Sequence, residues 1–212
     1  MSLCAIIPVK PLRRGKSRLS HVLSSSQREV LNGYLLQSIL ESLSPIDLID
    51  HRIVISYDPS ALALARNFGA NTVLENRNTD INRALRRATV AAKAYGATNL
   101  LVLPADLPLI TKDDIQAFLN HQTEPPEIII SSDRKLNGTN ALYINPLGAI
   151  NYNFGNWSFR KHVEEAERKK VKVNIFRNTN ISFDLDVPED WDQLESINFE
   201  KKVLLNQLIQ EV

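Results

Sequence analysis

An acidic residue follows a short apolar segment at a place where enzymes built on a sheet often carry a metal ligand. The segment is 100–103 (LLVL), and Asp106 follows it between Pro104 and Pro108. Carboxylate oxygens are hard ligands that suit Mg²⁺, which in turn binds phosphate oxygens. Asp106 could instead cap the next helix, but Thr111 is better placed to do so. We therefore predict a metal ligand at Asp106.

A second acidic segment lies near the end of the chain, at 183–190 (FDLDVPED). In an extended segment the side chains of Asp184 and Asp186 project to the same face. Two carboxylates on one face repel each other unless a cation or a base lies between them. The alternative is that Asp186 opens a helix together with Pro188 and Glu189. We predict that at least one of the two aspartates binds metal or phosphate.

The segment 8–19 (PVKPLRRGKSRL) is a basic loop that follows the first apolar run. It holds five basic residues, one glycine and no acid. Cations neutralise a triphosphate, and glycine lets the backbone approach it closely. The loop matches neither the Walker A pattern nor the dinucleotide pattern GxGxxG. A solvated basic loop is the alternative interpretation.

Two small polar segments, 137–141 (NGTNA) and 154–159 (FGNWSF), are candidates for binding an anion. Gly155 and Ser158 lie near the start of a predicted helix, where free N–H groups attract phosphate or carboxylate. Ordinary turn and cap chemistry is the alternative, which these residues alone favour. His162 lies one turn into that helix and could be a surface residue or an acid–base group. The sequence lacks HExxH and a convincing Ser-His-Asp order, so zinc and hydrolase chemistry are poorly supported.

Strands and helices alternate through the first 130 residues, which predicts a mostly parallel sheet with helices on both faces. This alternation of strands and helices changes after Asp133. The predicted strands are 3–9, 52–56, 72–74, 100–103, 127–131, 141–144 and 171–176. The predicted helices are 27–43, one from 58–60 to Gly69, 80–95, one capped by Thr111, 158–169, one at Pro188 and 199–212. We expect the last helix to pack on the body or on a partner chain.

The composition is that of one globular domain. The 212 residues carry a formal net charge of +1, which gives no reason to expect binding to nucleic acid or membrane. The single Cys4 excludes a disulfide framework and a multi-cysteine zinc site within one chain. No apolar run approaches the roughly 18 residues of a membrane span, and the N-terminus does not resemble a signal peptide. We expect a cytoplasmic protein.

Five motifs occur in the order found in the 2-phospho-L-lactate guanylyltransferases, a family that the chain resembles from Ile7 to Asp190. They are PVKPLRRGKSRL, LPADLPLIT, NGTNAL, FGNWSF and DLDVPED. The resemblance implies a single Rossmann-like, GT-A-like nucleotidyltransferase domain. It also implies transfer of GMP from GTP to 2-phospho-L-lactate, with release of pyrophosphate, in biosynthesis of the deazaflavin coenzyme F420.

The resemblance also implies roles for individual residues. Lys16, Asp106 and Asp186 would be catalytic. The nucleotide-binding residues would be Pro8, Val9, Lys10, Lys16, Arg18, Asn82 and Asp106. The acceptor would be bound by Thr139, Gly155 and Ser158, and Mg²⁺ by Asp106, Asp186 and Asp184. The chain departs from many relatives at 13–15 (RRG) and 82–84 (NRA), which affects the details of nucleotide contact.

These roles divide the single domain, 1–212, into a nucleotide-binding half (1–133), an acceptor and metal half (134–198) and a C-terminal helix (199–212). The expected partners are GTP, a small phosphorylated acid and a second copy of the chain in a homodimer. Phosphoenolpyruvate or another three-carbon phosphoacid is the nearest alternative acceptor. A sugar phosphate or molybdopterin, and a non-catalytic nucleotide-binding protein, are the further alternatives.

Overall fold

Seven strands form one sheet at the centre of the protein. The computed structural model describes residues 2–77 and 80–210. The strands are β1 (Leu3–Pro8), β2 (His51–Ser56), β3 (Asn71–Leu74), β4 (Asn99–Val102), β5 (Glu127–Ser132), β6 (Thr139–Asn145) and β7 (Lys172–Ile175). Their order across the sheet is β3-β2-β1-β4-β6-β5-β7. Among the described strands only β6 runs antiparallel to its neighbours, so the prediction of a mostly parallel sheet is confirmed.

Helices cover both faces of this sheet. They are α1 (Ser25–Leu43), α2 (Pro59–Asn67), α3 (Ile81–Ala94), α4 (Lys112–Leu119), α5 (Ser158–Arg168), α6 (Thr179–Ser182), α7 (Pro188–Ile197) and α8 (Phe199–Gln210). In β1, Ala5 and Ile7 pack with α1, α2 and α4, whereas Cys4 and Ile6 pack with α3 and α5. This alternation is the two-residue period of a strand buried on both faces.

Local signals placed most helix starts correctly. Thr111 caps α4 in a reciprocal capping box with Asp114, as the sequence predicted. Helix α1 begins two residues earlier than expected, because Ser24 forms a capping box with Gln27. The sequence analysis missed the short helix α6 and a 3₁₀ turn at Ser17–Leu19. Within residues 2–77 and 80–210, no helix has the length and apolar character needed to span a membrane.

The last two helices pack on the chain's own body. Leu205 and Ile209 of α8 form a third apolar cluster with Leu31 and Leu35 of α1 and Leu194 of α7. This cluster also contains Phe183 and Leu185, which flank Asp184. The C-terminal helices therefore hold the acidic segment against α1. Of the two placements expected for the last helix, on the body or on a partner chain, the structure shows packing on the body.

Shortening Leu205 should destabilise this support. Leu205 is 0% exposed, so Leu205→Ala leaves a cavity and should lower the free energy of unfolding by about 2–5 kcal/mol. The neighbouring Leu204 is 39% exposed, and Leu204→Ala should change it by no more than about 0.5 kcal/mol. Urea unfolding of both variants measures the difference. Equal effects would contradict the packing described for α8.

Candidate active site

A cleft of about 550 Å³ opens at the carboxyl ends of the parallel strands. Pro8 and Val9 border it at the end of β1, and Pro104 and Asp106 border it beyond β4. This edge is where open α/β sheets bind ligands, because the strand ends diverge there and leave a crevice. All five motifs contribute residues to the lining of the cleft.

The basic loop folds back on α1 and turns Lys16 inward. A Cβ on Gly15 would lie 2.7 Å from the Asn32 side-chain nitrogen and 3.2 Å from the Pro11 carbonyl oxygen, so a larger residue here would displace the Asn32 side chain. The same Asn32 nitrogen donates to the Leu12 carbonyl at 2.6 Å. Lys16 then adopts a left-handed φ of 51°. Lys10 and Arg18 also line the cleft and are exposed, whereas Arg13 pairs with Glu29 outside it.

Lys16 reaches the acidic segment near the end of the chain. Its side chain is only 5% exposed, and its Nζ lies 3.6 Å from Asp186 Oδ1. Nζ also donates to the Leu185 carbonyl. The Leu185 N–H donates in turn to the Asp106 carbonyl at 3.1 Å. The two predicted metal-ligand segments and the basic loop are therefore joined by direct contacts around one buried ammonium group.

Like charges lie close together around this ammonium group. Burial raises the pKa of Asp184 to about 6, the charges of Asp106 and Asp186 add to the rise, and a hydrogen bond from Asn140 opposes it. Burial also raises the pKa of Asp106 above its ordinary value; the Lys16 ammonium opposes this rise, and Asp186 adds to it. Asp184 and Asp186 both line the cleft, as their spacing predicted.

The donor set of these carboxylates fits a divalent cation that arrives with phosphate. Among the described residues, no three acidic, histidine or cysteine side chains form a preassembled metal cluster. Mg²⁺ is usually held by one or two carboxylates and completes its octahedron with substrate phosphates and water. Hard oxygen ligands, mutual repulsion and an adjoining basic loop suit a metal–nucleotide complex better than a metal ion bound alone.

Arg134 and Asp190 support the acidic segment, and sequence reasoning missed both. Asp190 accepts from the N–H groups of Asp186 and Val187 at 2.8 and 2.9 Å. It therefore caps α7 and leaves the Asp186 side chain free to face Lys16. Arg134 pairs with Asp190 and lies 4.2 Å from the Phe183 ring centroid. The sequence carried a signal for this cap, because Asp190 is the third residue of a helix that begins at Pro188. No sequence pattern indicated the contacts of Arg134.

A buried hydrogen-bond chain lines the other end of the cleft. The Asn153 N–H donates to His162 Nε2 at 2.9 Å, so the proton of the neutral ring lies on Nδ1. His162 Nδ1 lies 3.1 Å from Thr139 Oγ1, which also accepts from the Ser158 hydroxyl at 3.1 Å. With two hydrogen bonds accepted, the hydroxyl proton of Thr139 remains available to a ligand. Thr139 and Ser158 both line the cleft.

The structure excludes a simple capping role for Ser158. Trp157 occupies the N-cap position of α5 with a φ of 61°, and the Ser158 hydroxyl contacts Thr139 instead of the helix backbone. Gly155 lines the cleft with a φ of 122°, a conformation that favours glycine. Asn82, by contrast, is not among the residues that line the cleft. Its side-chain amide donates to the Phe154 carbonyl at 3.0 Å and accepts from the Phe154 N–H at 2.7 Å.

Residues 3–201 match the model of one protein family, described as guanylyl transferase CofC like. The chain belongs to the CofC-like guanylyl transferase family. This membership confirms the prediction of a nucleotidyltransferase. It agrees with a site that combines a basic loop, a carboxylate cluster and hydroxyl donors in one cleft.

Several proteins are similar to this CofC-like chain. A phosphoenolpyruvate guanylyltransferase of Rubrobacter xylanophilus is 41% identical over 92% of this chain and 95% of that protein. A 2-phospho-L-lactate guanylyltransferase of Methanocaldococcus infernus is 34% identical over 89% and 82%. A nucleotidyl transferase structure from Methanothermobacter thermautotrophicus matches at a TM-score of 0.65 and 11% identity, over 94% of this chain and 98% of that one. The last likeness confirms the fold alone.

The buried His162 should make stability depend on pH. Burial lowers the pKa of His162 from 6.5 to about 4, and Glu165 opposes this shift. Between these values the unfolded chain binds a proton that the folded chain does not, so acid favours unfolding. The contribution of His162 should therefore be present above pH 6.5 and decrease by on the order of 3 kcal/mol as the pH falls to 4.

Urea unfolding of the native chain and of His162→Asn, from pH 7.5 to 4, measures this effect. The stability advantage of the native chain over the variant should shrink as the pH falls. A constant difference would show that His162 does not titrate as its buried position requires.

Proposed function

We propose that this protein transfers GMP from GTP to 2-phospho-L-lactate and releases pyrophosphate, in biosynthesis of coenzyme F420. The observation that carries the proposal is the arrangement of the cleft. Its basic loop suits a triphosphate, its carboxylates suit a divalent cation, and its hydroxyl pair suits a second anion. Transfer between two anionic substrates needs these three features next to one another.

Phosphoenolpyruvate is the second candidate acceptor. The Rubrobacter relative at 41% identity carries that name, whereas the methanogen relatives at 32–34% identity carry the phospholactate name. Both acids have three carbons, a carboxylate, and a phosphate on the neighbouring carbon. They differ in the hydrogens on that carbon and the next, so they present the same charges to Thr139 and Ser158.

The nucleotide half of the domain, 1–133, would bind GTP. We assign the triphosphate to Lys10, Lys16 and Arg18, because these cations of the basic loop line the cleft. Pro8 and Val9 would contact the nucleotide from the end of β1. Since both ends of the Asn82 amide bond Phe154, we propose that Asn82 supports the nucleotide site through the 154–158 turn.

The acceptor and metal half, 134–198, would bind the phosphorylated acid. Thr139 has a hydroxyl proton to donate, Ser158 adjoins it, and Gly155 lets the backbone turn toward the ligand. We propose Mg²⁺ as the cation, held by Asp106 and Asp186 with Asp184 beside them. When bound, it would neutralise the phosphate oxygens around the reacting phosphorus.

The reaction requires no general base. A phosphate monoester is largely dianionic near neutral pH, since its second pKa is about 6. Its oxygen would attack the α-phosphorus in line and form the new P–O bond, while the bond to pyrophosphate breaks. Lys16 would stabilise the charge that develops on the phosphates, and Thr139 and Ser158 would align the attacking oxygen.

We further propose that the protein is cytoplasmic and forms a homodimer.

The reaction predicts pyrophosphate release that depends on the acceptor. The native chain, supplied with GTP, Mg²⁺ and either 2-phospho-L-lactate, phosphoenolpyruvate or 3-phosphoglycerate, should release pyrophosphate with the true acceptor. Mass spectrometry should detect the guanylylated acid. The ratio of kcat/KM values ranks the acceptors. Absence of release with every phosphoacid would reject the reaction.

Asp106→Asn is the inactive control for that assay. Loss of a metal ligand should cost several kcal/mol of transition-state stabilisation, so turnover should fall by at least about a hundredfold. Circular dichroism should show that the variant remains folded. Near-native turnover in the folded variant would remove Asp106 from the site.

Ser158→Ala separates the acceptor site from the nucleotide site. The Ser158 hydroxyl donates to Thr139 Oγ1 and so leaves the Thr139 proton directed to the acceptor. Because hydrogen bonds to charged groups contribute about 1.5–3 kcal/mol, loss of this arrangement should raise the KM for the phosphoacid roughly tenfold to a hundredfold. The KM for GTP should remain nearly unchanged. Ser196→Ala is the matched control, because the Ser196 hydroxyl bonds only the nearby Gln193 carbonyl. Equal effects of Ser158→Ala on both substrates would withdraw Ser158 from the acceptor site.

A further inference from the structure

One end of the cleft is mainly apolar and lies beyond the ends of β1, β2 and β3. Its side chains include Ile55, Tyr57, Ile81 and Ala84. Glu75, which directly follows β3, is the acidic residue that lines this end. The metal-ligand candidates of the cleft follow β4 or precede α7 instead. A lone carboxylate among apolar side chains therefore needs its own explanation.

The backbone of Glu75 is firmly placed, but its carboxylate has no hydrogen-bond or ion-pair partner among the described residues. The Glu75 N–H donates to the Ser56 carbonyl of β2 at 2.9 Å. Within the part of the chain that the structure describes, the half-buried carboxylate makes no hydrogen bond or ion pair. Burial and the charge of Asp80 raise the pKa of Glu75 above its ordinary value, and Arg87 opposes the rise. Water can satisfy a partly buried acceptor of this kind in the free protein, and a ligand that displaces this water from the cleft must supply donors in its place.

The neighbouring acid, Asp80, is not among the residues that line the cleft. The Asp80 carboxylate caps α3 by accepting from the N–H groups of Asn82 and Arg83 at 2.9 and 3.1 Å. Its position is thus explained by the helix that it begins. Glu75 is left as the acidic acceptor at the apolar end of the cleft.

We propose that Glu75 recognises the guanine base and selects GTP over other nucleotides. This inference rests on the proposed use of GTP. Guanine presents two adjacent donors on one edge, N1–H and the 2-amino group, and a carboxylate can accept both in parallel. The apolar side chains around Glu75 would contact the faces of the purine ring, while the triphosphate extends toward Lys16.

The same carboxylate would reject the other purine. Adenine has an unprotonated N1 at the corresponding position, so its lone pair would face the negative oxygens of Glu75. Selection would then come from attraction to guanine and repulsion of adenine together. A site built to bond specific N–H groups rejects an analogue that lacks them, because its buried acceptor stays unpaired.

Nucleotide binding without an acceptor tests the assignment. Calorimetry with Mg²⁺ compares GTP, ITP and ATP on the native chain and on Glu75→Gln. We expect the variant to bind GTP at least about tenfold more weakly and ATP no more weakly than the native chain. ITP lacks the 2-amino group, so the native chain should prefer GTP over ITP and the variant should largely lose that preference. Glu124→Gln, an exposed residue outside the cleft, should bind all three nucleotides as the native chain does.

A gain of affinity provides a second measurement that does not depend on lost binding. Xanthine keeps N1–H but has an oxygen in place of the 2-amino group, and a glutamine amide can pair with both. The ratio of XTP to GTP affinity should therefore rise at least about tenfold in Glu75→Gln.

Three results would overturn the assignment. They are native GTP affinity in Glu75→Gln, an equal loss of GTP and ATP, or an unchanged ratio of XTP to GTP. The proposed reaction is judged separately, by pyrophosphate release from the native chain with phosphoacids. If the native chain releases no pyrophosphate, the proposed reaction is rejected. The nucleotide affinities measured without an acceptor would still test the role of Glu75.

Discussion

The buried ammonium group of Lys16 is the interaction on which the site depends. It joins the basic loop to the acidic segment near the end of the chain, at Asp186 and the Leu185 carbonyl. A buried cation is costly unless oppositely charged and polar groups surround it. Gly15, directly before Lys16, leaves room for the Asn32 side chain that holds this loop against α1. The acidic segment is held in turn by the apolar cluster of α1, α7 and α8, which contains Phe183 and Leu185. Packing outside the cleft therefore helps to place the carboxylates that line it.

One lysine does not neutralise three neighbouring carboxylates. Burial raises the pKa of Asp106 and of Asp184, and the negative charges of the neighbouring carboxylates add to both rises. Such an arrangement destabilises the free protein and favours any ligand that brings positive charge into the cleft. A divalent cation bound to a triphosphate does so, and its phosphates meet the cations of the basic loop. The repulsion among these carboxylates and the proposed binding of a metal–nucleotide complex therefore have the same electrostatic origin.

Apolar, charged and hydroxyl groups occupy different parts of the cleft along the sheet. An apolar end with one carboxylate lies beyond β1, β2 and β3, the charged centre lies between β1 and β4, and the hydroxyl groups begin β6 and α5. β6 runs opposite to its neighbours, so its first residue, Thr139, reaches the edge where the parallel strands end. His162 then fixes the direction of the hydrogen bonds, because its Nε2 is already occupied by the Asn153 N–H. Each of these regions is built on different elements, so groups of different chemistry lie side by side in one cleft.

The sequence by itself determined the order of elements, the mostly parallel sheet and the family, because strand and helix periods, caps and motifs are local patterns. Asp106 could be placed at the carboxyl edge of the sheet because it follows a buried strand, and Thr111 could be predicted as a helix cap because caps act within one helical turn. Only the tertiary structure decided that Lys16 meets Leu185, 169 residues away. It also decided that the Asn82 amide bonds Phe154, that Arg134 pairs with Asp190, and that the buried His162 lies within hydrogen-bond distance of Thr139. These contacts join residues distant along the chain, and they depend on how the helices pack on the sheet, which no local spacing encodes.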